Sequence, residues 1–197
     1  MTERFAFDTS DGETLEARWD SPDDPGGVVV FCHPHPLQGG SMMAPLMIAV
    51  TTRLVEHGFS VLRFNFRGTG KSTGTHDHGE AEQLDITSAV EQATGRSLPL
   101  GIAGWSFGAG TALQWMAGQP NAVPYVGIAP PPDGLPDRLP TGPKRIIAGT
   151  RDQVVDIDLL RRYAESQSID LVLTAGDHFF HGRGEKIGRL VAQGFEA

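Results

Sequence analysis

The pentapeptide Gly104-Trp105-Ser106-Phe107-Gly108, with Gly110 just beyond it, sets a serine between glycines at the spacing G-x-S-x-G. That spacing suits a sharp strand-to-helix turn, which lifts a serine hydroxyl clear of a sheet. Side chains at positions 104 and 108 would collide with neighbouring backbone in such a turn. The turn also puts the Phe107 amide at a helix N-terminus, where it can donate to a developing oxyanion. A hydroxyl is a weak nucleophile until a base takes its proton. An acid and then a histidine are therefore expected further along the chain.

Downstream of Ser106 there are only two histidines, His178 and His181. His178, in Gly176-Asp177-His178-Phe179-Phe180, directly follows the last apolar run and can hang over the edge of a sheet. His181 ranks behind it. Asp152, in Gly149-Thr150-Arg151-Asp152-Gln153, stands just beyond another apolar run and is the first choice of acid. Asp156 and Asp158 fall at the start of the next helix, where acidic residues favour the helix dipole. Asp177 is too close along the chain to reach the His178 ring. A second oxyanion donor is expected from the loop His33-Pro34-His35-Pro36-Leu37-Gln38-Gly39-Gly40. Its prolines have no N–H, which leaves His35 and Leu37, with His35 favoured.

Strands alternating with helices must hold these groups. Arg4 to Trp19 reads as a hairpin turning at Asp11-Gly12. Val28–Phe31 is a continuous apolar run of the kind buried on both faces of a parallel sheet. A helix starts at Pro45, with Leu46, Val50 and Leu54 on one face. The pattern then predicts a strand over Val61–Phe66, a helix over Glu80–Ala93 with Leu84, Ile86 and Val90 inward, and a strand over Leu98–Ala103. A helix from near Ser106 to Ala117 follows, then strands over Val123–Ile128 and Arg145–Ala148, a helix over Ile157–Glu165, a strand over Leu171–Leu173 and a helix over Ile187–Val191. This is the pattern of a single α/β domain spanning 1–197, with a mostly parallel, doubly wound sheet and an antiparallel N-terminal hairpin.

Composition narrows the partners. The 197 residues carry a formal charge of −8, which disfavours nucleic acid and anionic membrane surfaces. No apolar run approaches the ~20 residues of a membrane span, and the N-terminus lacks the pattern of a signal peptide. The single cysteine, Cys32, permits no intramolecular disulfide, and a cytoplasmic location is expected. Cys32 ends an apolar strand and reads as a small buried hydrophobe. Gly70-Lys71-Ser72 resembles the end of a phosphate loop, but Asn65 stands where that motif needs glycine. His76-Asp77-His78 and the His33/His35 pair lack zinc spacing and read as solvated loop histidines. Met42, Met43 and Met47 read as core or pocket wall. Trp105 and Phe107 flank the serine and are candidates for substrate contact or for packing.

Four segments together resemble the small, cap-less α/β-hydrolases similar to dienelactone hydrolases. They are His33-Pro34-His35-Pro36 with Gly39-Gly40, Arg63-Phe64-Asn65-Phe66-Arg67-Gly68-Thr69-Gly70-Lys71-Ser72, the serine turn, and His178-Phe179-Phe180-His181-Gly182. The resemblance runs from about Val28 to Gly182 and implies the α/β-hydrolase fold without a large cap, with Ser106, Asp152 and His178 as a triad. Dienelactone hydrolases use a cysteine nucleophile where this chain has serine. A serine, a base and the Phe107 and His35 amides suit acyl transfer to water. The expected reaction is hydrolysis of a small carboxylic ester or thioester, with no cofactor and no metal. A catalytically silent binding protein, or an acyltransferase or peptidase on the same triad, is the alternative. The slot where many relatives insert a cap, Ala129 to Lys144, holds five prolines between Pro130 and Pro140. They disfavour a helical lid, so an open site preferring short acyl chains is expected.

Overall fold

The Val28–Phe31 run lies within β3 (Gly27–Cys32), and every residue of that strand is buried. Such complete burial requires neighbours on both edges and layers on both faces. The computed structural model, which describes residues 1–196, supplies both. β1 (Thr2–Asp8) and β2 (Thr14–Asp20) form the N-terminal hairpin. After β3 come α1 (Pro45–Glu56), β4 (Phe59–Phe64), α2 (Glu82–Thr94), β5 (Leu100–Trp105), α3 (Phe107–Ala117), β6 (Tyr125–Ile128), β7 (Lys144–Gly149), α4 (Ile157–Ser166), β8 (Asp170–Thr174) and α5 (Gly184–Phe195). The eight strands form one sheet in the order β1-β2-β4-β3-β5-β6-β7-β8. β1 and β2 run antiparallel, as do β2 and β4, and the remaining pairs are parallel. Helices α1 and α5 pack together on one face, and α2 and α3 on the other. This is the α/β-hydrolase fold with no large cap.

Two strands sit two residues away from their expected positions. β4 ends at Phe64 because the chain then peels off the sheet, and the Phe66 amide donates to His33 Nε2 (3.0 Å). β5 begins after Pro99 and runs on to Trp105, which pairs with Ile128 of β6. β6 starts only after Pro124, which has no N–H for a ladder. The expectation for α2 needs a larger correction. Leu84 faces outward, 37% exposed, while Glu82 and Asp85 turn inward with Ile86.

Those acids are buried because the sequence supplies their partners. Arg67 donates to Asp85 from Nε (3.0 Å) and Nη2 (2.7 Å), and to Asp11 from Nη1 (2.9 Å). The Glu82 carboxylate accepts from the Gly79 and Asp77 amides and lies 2.6 Å from His76 Nδ1. The His76 side chain is therefore buried, 4% exposed, and not solvated as the sequence suggested. Arg63, also buried, donates to the Met42 carbonyl (2.7 Å) and to Asp20 (2.5 Å). Asn65 accepts from the Met42 amide and donates to Glu16. Ser72 joins the Asn65 carbonyl to the Glu16 amide. The Gly70-Lys71-Ser72 stretch is thus fastened to the hairpin. Met42 and Met47 are core residues, but Met43 is exposed. Cys32 is buried, and burial pushes its thiol far up.

His33 holds the loop after β3. Its ring is fully buried, Nδ1–H donates to the Pro34 carbonyl (2.6 Å) and Nε2 accepts from Phe66. Burial pushes this imidazole down to about 4, the bond to Pro34 offsetting only part of the effect.

Two predictions follow from these buried groups. Arg67→Ala leaves Asp85 buried without its cation and should cost about 3–5 kcal/mol, while Arg67→Ala/Asp85→Ala should recover part of the loss. Urea unfolding of both variants checks this; a single-variant cost below about 1 kcal/mol would contradict it. The second concerns pH. An unfolded histidine takes up a proton near 6.5, but native His33 resists until about 4. Between those values the unfolded chain binds more protons, so stability falls as pH drops through that window, by up to about 1.4 kcal/mol per unit. His33→Gln should flatten the fall; equal slopes in wild type and variant would exclude His33 as its source.

Candidate active site

β5 delivers Ser106 to the carboxyl edge of the sheet, and α3 begins at the next residue. The serine sits at φ 52° and ψ −117°, a backbone conformation that L-residues rarely adopt. It is held there by its amide, which donates to the Ile128 carbonyl (2.8 Å), and by its carbonyl, which accepts from Ala109 and Gly110. The flanking glycines are compulsory. A Cβ at Gly104 would meet the Ala109 amide, and one at Gly108 would overlap the His33 carbonyl.

Two adjacent parallel strands supply the other groups. The loops after β7 and β8 are zipped together: the Thr150 amide donates to the Thr174 carbonyl and the Arg151 amide to the Gly176 carbonyl. This brings Asp152 and His178 side by side. Asp152 Oδ2 lies 2.9 Å from His178 Nδ1, and His178 Nε2 lies 2.9 Å from Ser106 Oγ. The other oxygen of Asp152 accepts from the Val154 and Val155 amides (2.8 and 2.9 Å). Burial raises this carboxyl, but the bonds from His178 and the two amides outweigh it and hold Asp152 below the ordinary carboxylate value. A charged Asp152 favours the Nδ1–H tautomer of His178, leaving Nε2 free to accept a proton from the serine. Trp105 Nε1–H donates to the His178 carbonyl (3.3 Å) and braces the histidine loop.

The rival residues have other roles. Asp156 caps α4, accepting from the Asp158 and Leu159 amides, and Asp158 lies in the first turn of that helix. Asp177 accepts from the Phe179 and Phe180 amides and shapes the turn that carries His178. His181 stacks on Phe179 with ring centroids 5.6 Å apart. In the loop after β3, the Leu37 amide is taken by His35 Nδ1 (3.2 Å), so of the two amides considered there it is the one already engaged. Burial, with the neighbouring His76 and His78, pushes the His35 imidazole down, which suits its acceptor role. Phe107 opens α3, so its N–H has no partner one turn back.

Ser106 and His178 lie in a cavity of about 260 Å³. Its walls include Pro34 and His35 from the loop after β3, Pro45 and Leu46 from α1, and Trp105, Val154, Phe179 and His181. None of the lining residues is acidic or basic apart from histidine. Trp105 is thus a wall of the cavity, whereas the Phe107 ring packs among Phe66, His35 and His76. Val154, Phe179, His181, Pro45 and Leu46 were not foreseen as pocket residues. The only hint lay in bulky apolar residues directly beside the acid and the histidine, at Val154 and Phe179. The proline-rich 129–143 loop does not reach the cavity. It is tied down by Gln114, Tyr163 and Gln167, which bond the Gly134, Pro136 and Asp137 carbonyls. Among the described residues no group of His, Cys, Asp or Glu has a metal-binding arrangement, and no helix is long and apolar enough to cross a membrane.

The chain is similar to several known proteins. An uncharacterized protein of Rickettsia prowazekii is 31% identical over 195 residues, covering 89% of this chain and 80% of that protein. The structure of an α/β serine hydrolase homologue from Coxiella burnetii superposes with a TM-score of 0.87 at 29% identity, covering 97% of this chain and 96% of the other. A Xanthomonas campestris protein described as an α/β serine hydrolase without lid gives a TM-score of 0.88 at 28% identity, covering 99% and 94%. Residues 23–132 match the family model Hydrolase_4, serine aminopeptidase S33, and this chain belongs to that family of serine hydrolases of the α/β-hydrolase fold.

Proposed function

We propose that this hydrolase cleaves small carboxylic esters or thioesters through an acyl-enzyme on Ser106. The observation that carries the reading is the hydrogen-bonded series Ser106 Oγ, His178 and Asp152 at the wall of an uncharged cavity. His178 Nε2 takes the serine proton as Oγ attacks the carbonyl carbon. The oxyanion that forms is received by the Phe107 and His35 amides. The tetrahedral species collapses, and His178 returns the proton to the departing alcohol or thiol. Water then enters, gives its proton to the same nitrogen and attacks the acyl carbon. A second collapse restores Ser106 and releases the acid. Asp152 stabilises the imidazolium in both halves and is not itself protonated.

The cavity walls favour esters over the amino-terminal peptides that the family description suggests. An aminopeptidase must pair the substrate's ammonium, and a buried cation without a partner is costly. No carboxylate is among the cavity walls, and both oxygens of Asp152 are already engaged.

A fluorophosphonate probe should label wild type and not Ser106→Ala. Ser106→Ala and His178→Ala should each lower kcat/KM on p-nitrophenyl acetate by about 10³-fold or more, with folding unchanged by circular dichroism. His181→Ala should stay within about tenfold of wild type, since it bonds neither Ser106 nor Asp152. The reverse ranking of the two histidine variants would move the base to His181. Hydrolysis of aminoacyl p-nitroanilides in preference to esters would refute the ester reading.

A further inference from the structure

A second cavity lies beside the one at Ser106. Of about 230 Å³, it opens beyond Phe179 and His181, between the N-terminal turns of α1 and the segment leading into α5. The two share Pro45, Leu46, Phe179 and His181 as walls. The second is completed by Ala49, Phe180, Gly182 and Gly184, so it offers no charged side chain and little capacity for hydrogen bonding. A site of this kind, with His181 its one polar side chain, favours an aliphatic arm.

Phe179 stands between the two. Its ring meets those of Trp105 and His178 nearly at right angles, 89° and 88°, and lies close to parallel with His181 at 26°. Half of the residue is nonetheless exposed, at 51%. The amide of Phe179 is fixed by Asp177, which limits how far the ring can swing on its backbone. An exposed phenyl ring held by aromatic neighbours on a catalytic rim is a poor contributor to the core but an effective wall.

From this placement we infer that Phe179 is the specificity-determining partition of a bipartite substrate groove. The second cavity lies behind the ring and takes up a longer unbranched aliphatic arm of an ester only when the ring is removed. This rests on the hydrolase reading above and names the substrate feature that the site selects. With Phe179 in place, an arm bound from Ser106 meets the ring after a few carbons, and wild type favours short esters. With the ring removed, the two cavities join. Each methylene that then leaves water for the apolar subsite is worth about fourfold in kcat/KM.

The test is kcat/KM along p-nitrophenyl esters from acetate to decanoate for wild type, Phe179→Ala and Phe179→Ala/Ala49→Met, with fluorophosphonate labelling and melting temperature recorded for each. Ala49→Met refills the second cavity from α1. Wild type is expected to peak at acetate or butyrate. Phe179→Ala should peak at hexanoate or longer, its octanoate-to-acetate ratio rising more than about tenfold, and the double variant should return to the short-chain profile. A Phe179→Ala protein that is folded and labelled but keeps the wild-type profile overturns the partition. A shift that Ala49→Met leaves in place overturns the second cavity as the subsite. Wild type that neither takes the probe nor hydrolyses any ester overturns the hydrolase reading itself, a result distinct from the other two.

Discussion

Every part of the site depends on one serine held in a backbone conformation that costs about 1–3 kcal/mol. Ser106 reaches φ 52° only because its neighbours leave no other path. β5 ends in register with Ile128, α3 must start within one residue, and the glycines at 104 and 108 let the two backbones approach. The contact at Gly108 ties the turn to the end of β3, since the backbone there lies against the Cys32 and His33 carbonyls. The turn that exposes the hydroxyl is therefore the same feature that sets its distance from the His35 loop. Strain at Ser106 and the placement of the Phe107 and His35 amides, the proposed oxyanion donors, are two readings of one packing constraint.

The histidine and the acid are fixed differently, by adjacency. β7 and β8 pair through Gly149 and Thr174, and their loops continue the contact for two further hydrogen bonds. Asp152 and His178, 26 residues apart in the chain, thus become neighbours for a reason any parallel pair would supply. Order and placement after strands are what single them out in the sequence, and the structure brings the two side chains together. Asp177 and Asp156 also follow that geometry, each spending its carboxylate on local amides.

What the sequence hid falls into two kinds. Leu84 and His76 were assigned by the rule that apolar residues go in and charged loops stay out. That rule fails where polar groups arrive in matched sets: Arg67 with Asp85, and His76 with Glu82. A single-sequence pattern cannot show that Arg67, eighteen residues before Asp85, will meet it across a turn, although Arg67 stood in plain view within a recognised motif. The second kind is the cavity wall. Pro34, Leu46, Val154 and Phe179 come from four separate loops and helix ends. No spacing links them, because only the order of strands in the sheet brings them together.

The lack of a cap has an electrostatic consequence. A lid ordinarily excludes water so that fixed dipoles act at full strength. Here the proline-rich segment that could have grown into one is pinned to α3 and α4, yet Ser106 and His178 remain only 8% and 5% exposed. Their shielding comes from the loops that carry them, with Trp105 braced against the His178 carbonyl and His35 packed on Phe107. Ser106 and His178 are shielded on most sides while the approach to them through the cavity stays open. Under that division, burial of the nucleophile fixes the chemistry, and the few exposed side chains on the rim fix which acyl or alkyl arm can lie against it. The two are linked only loosely: the Val154 amide bonds Asp152, the Phe179 amide bonds Asp177, and the Phe179 ring packs edge-on against His178 without a side-chain hydrogen bond to it.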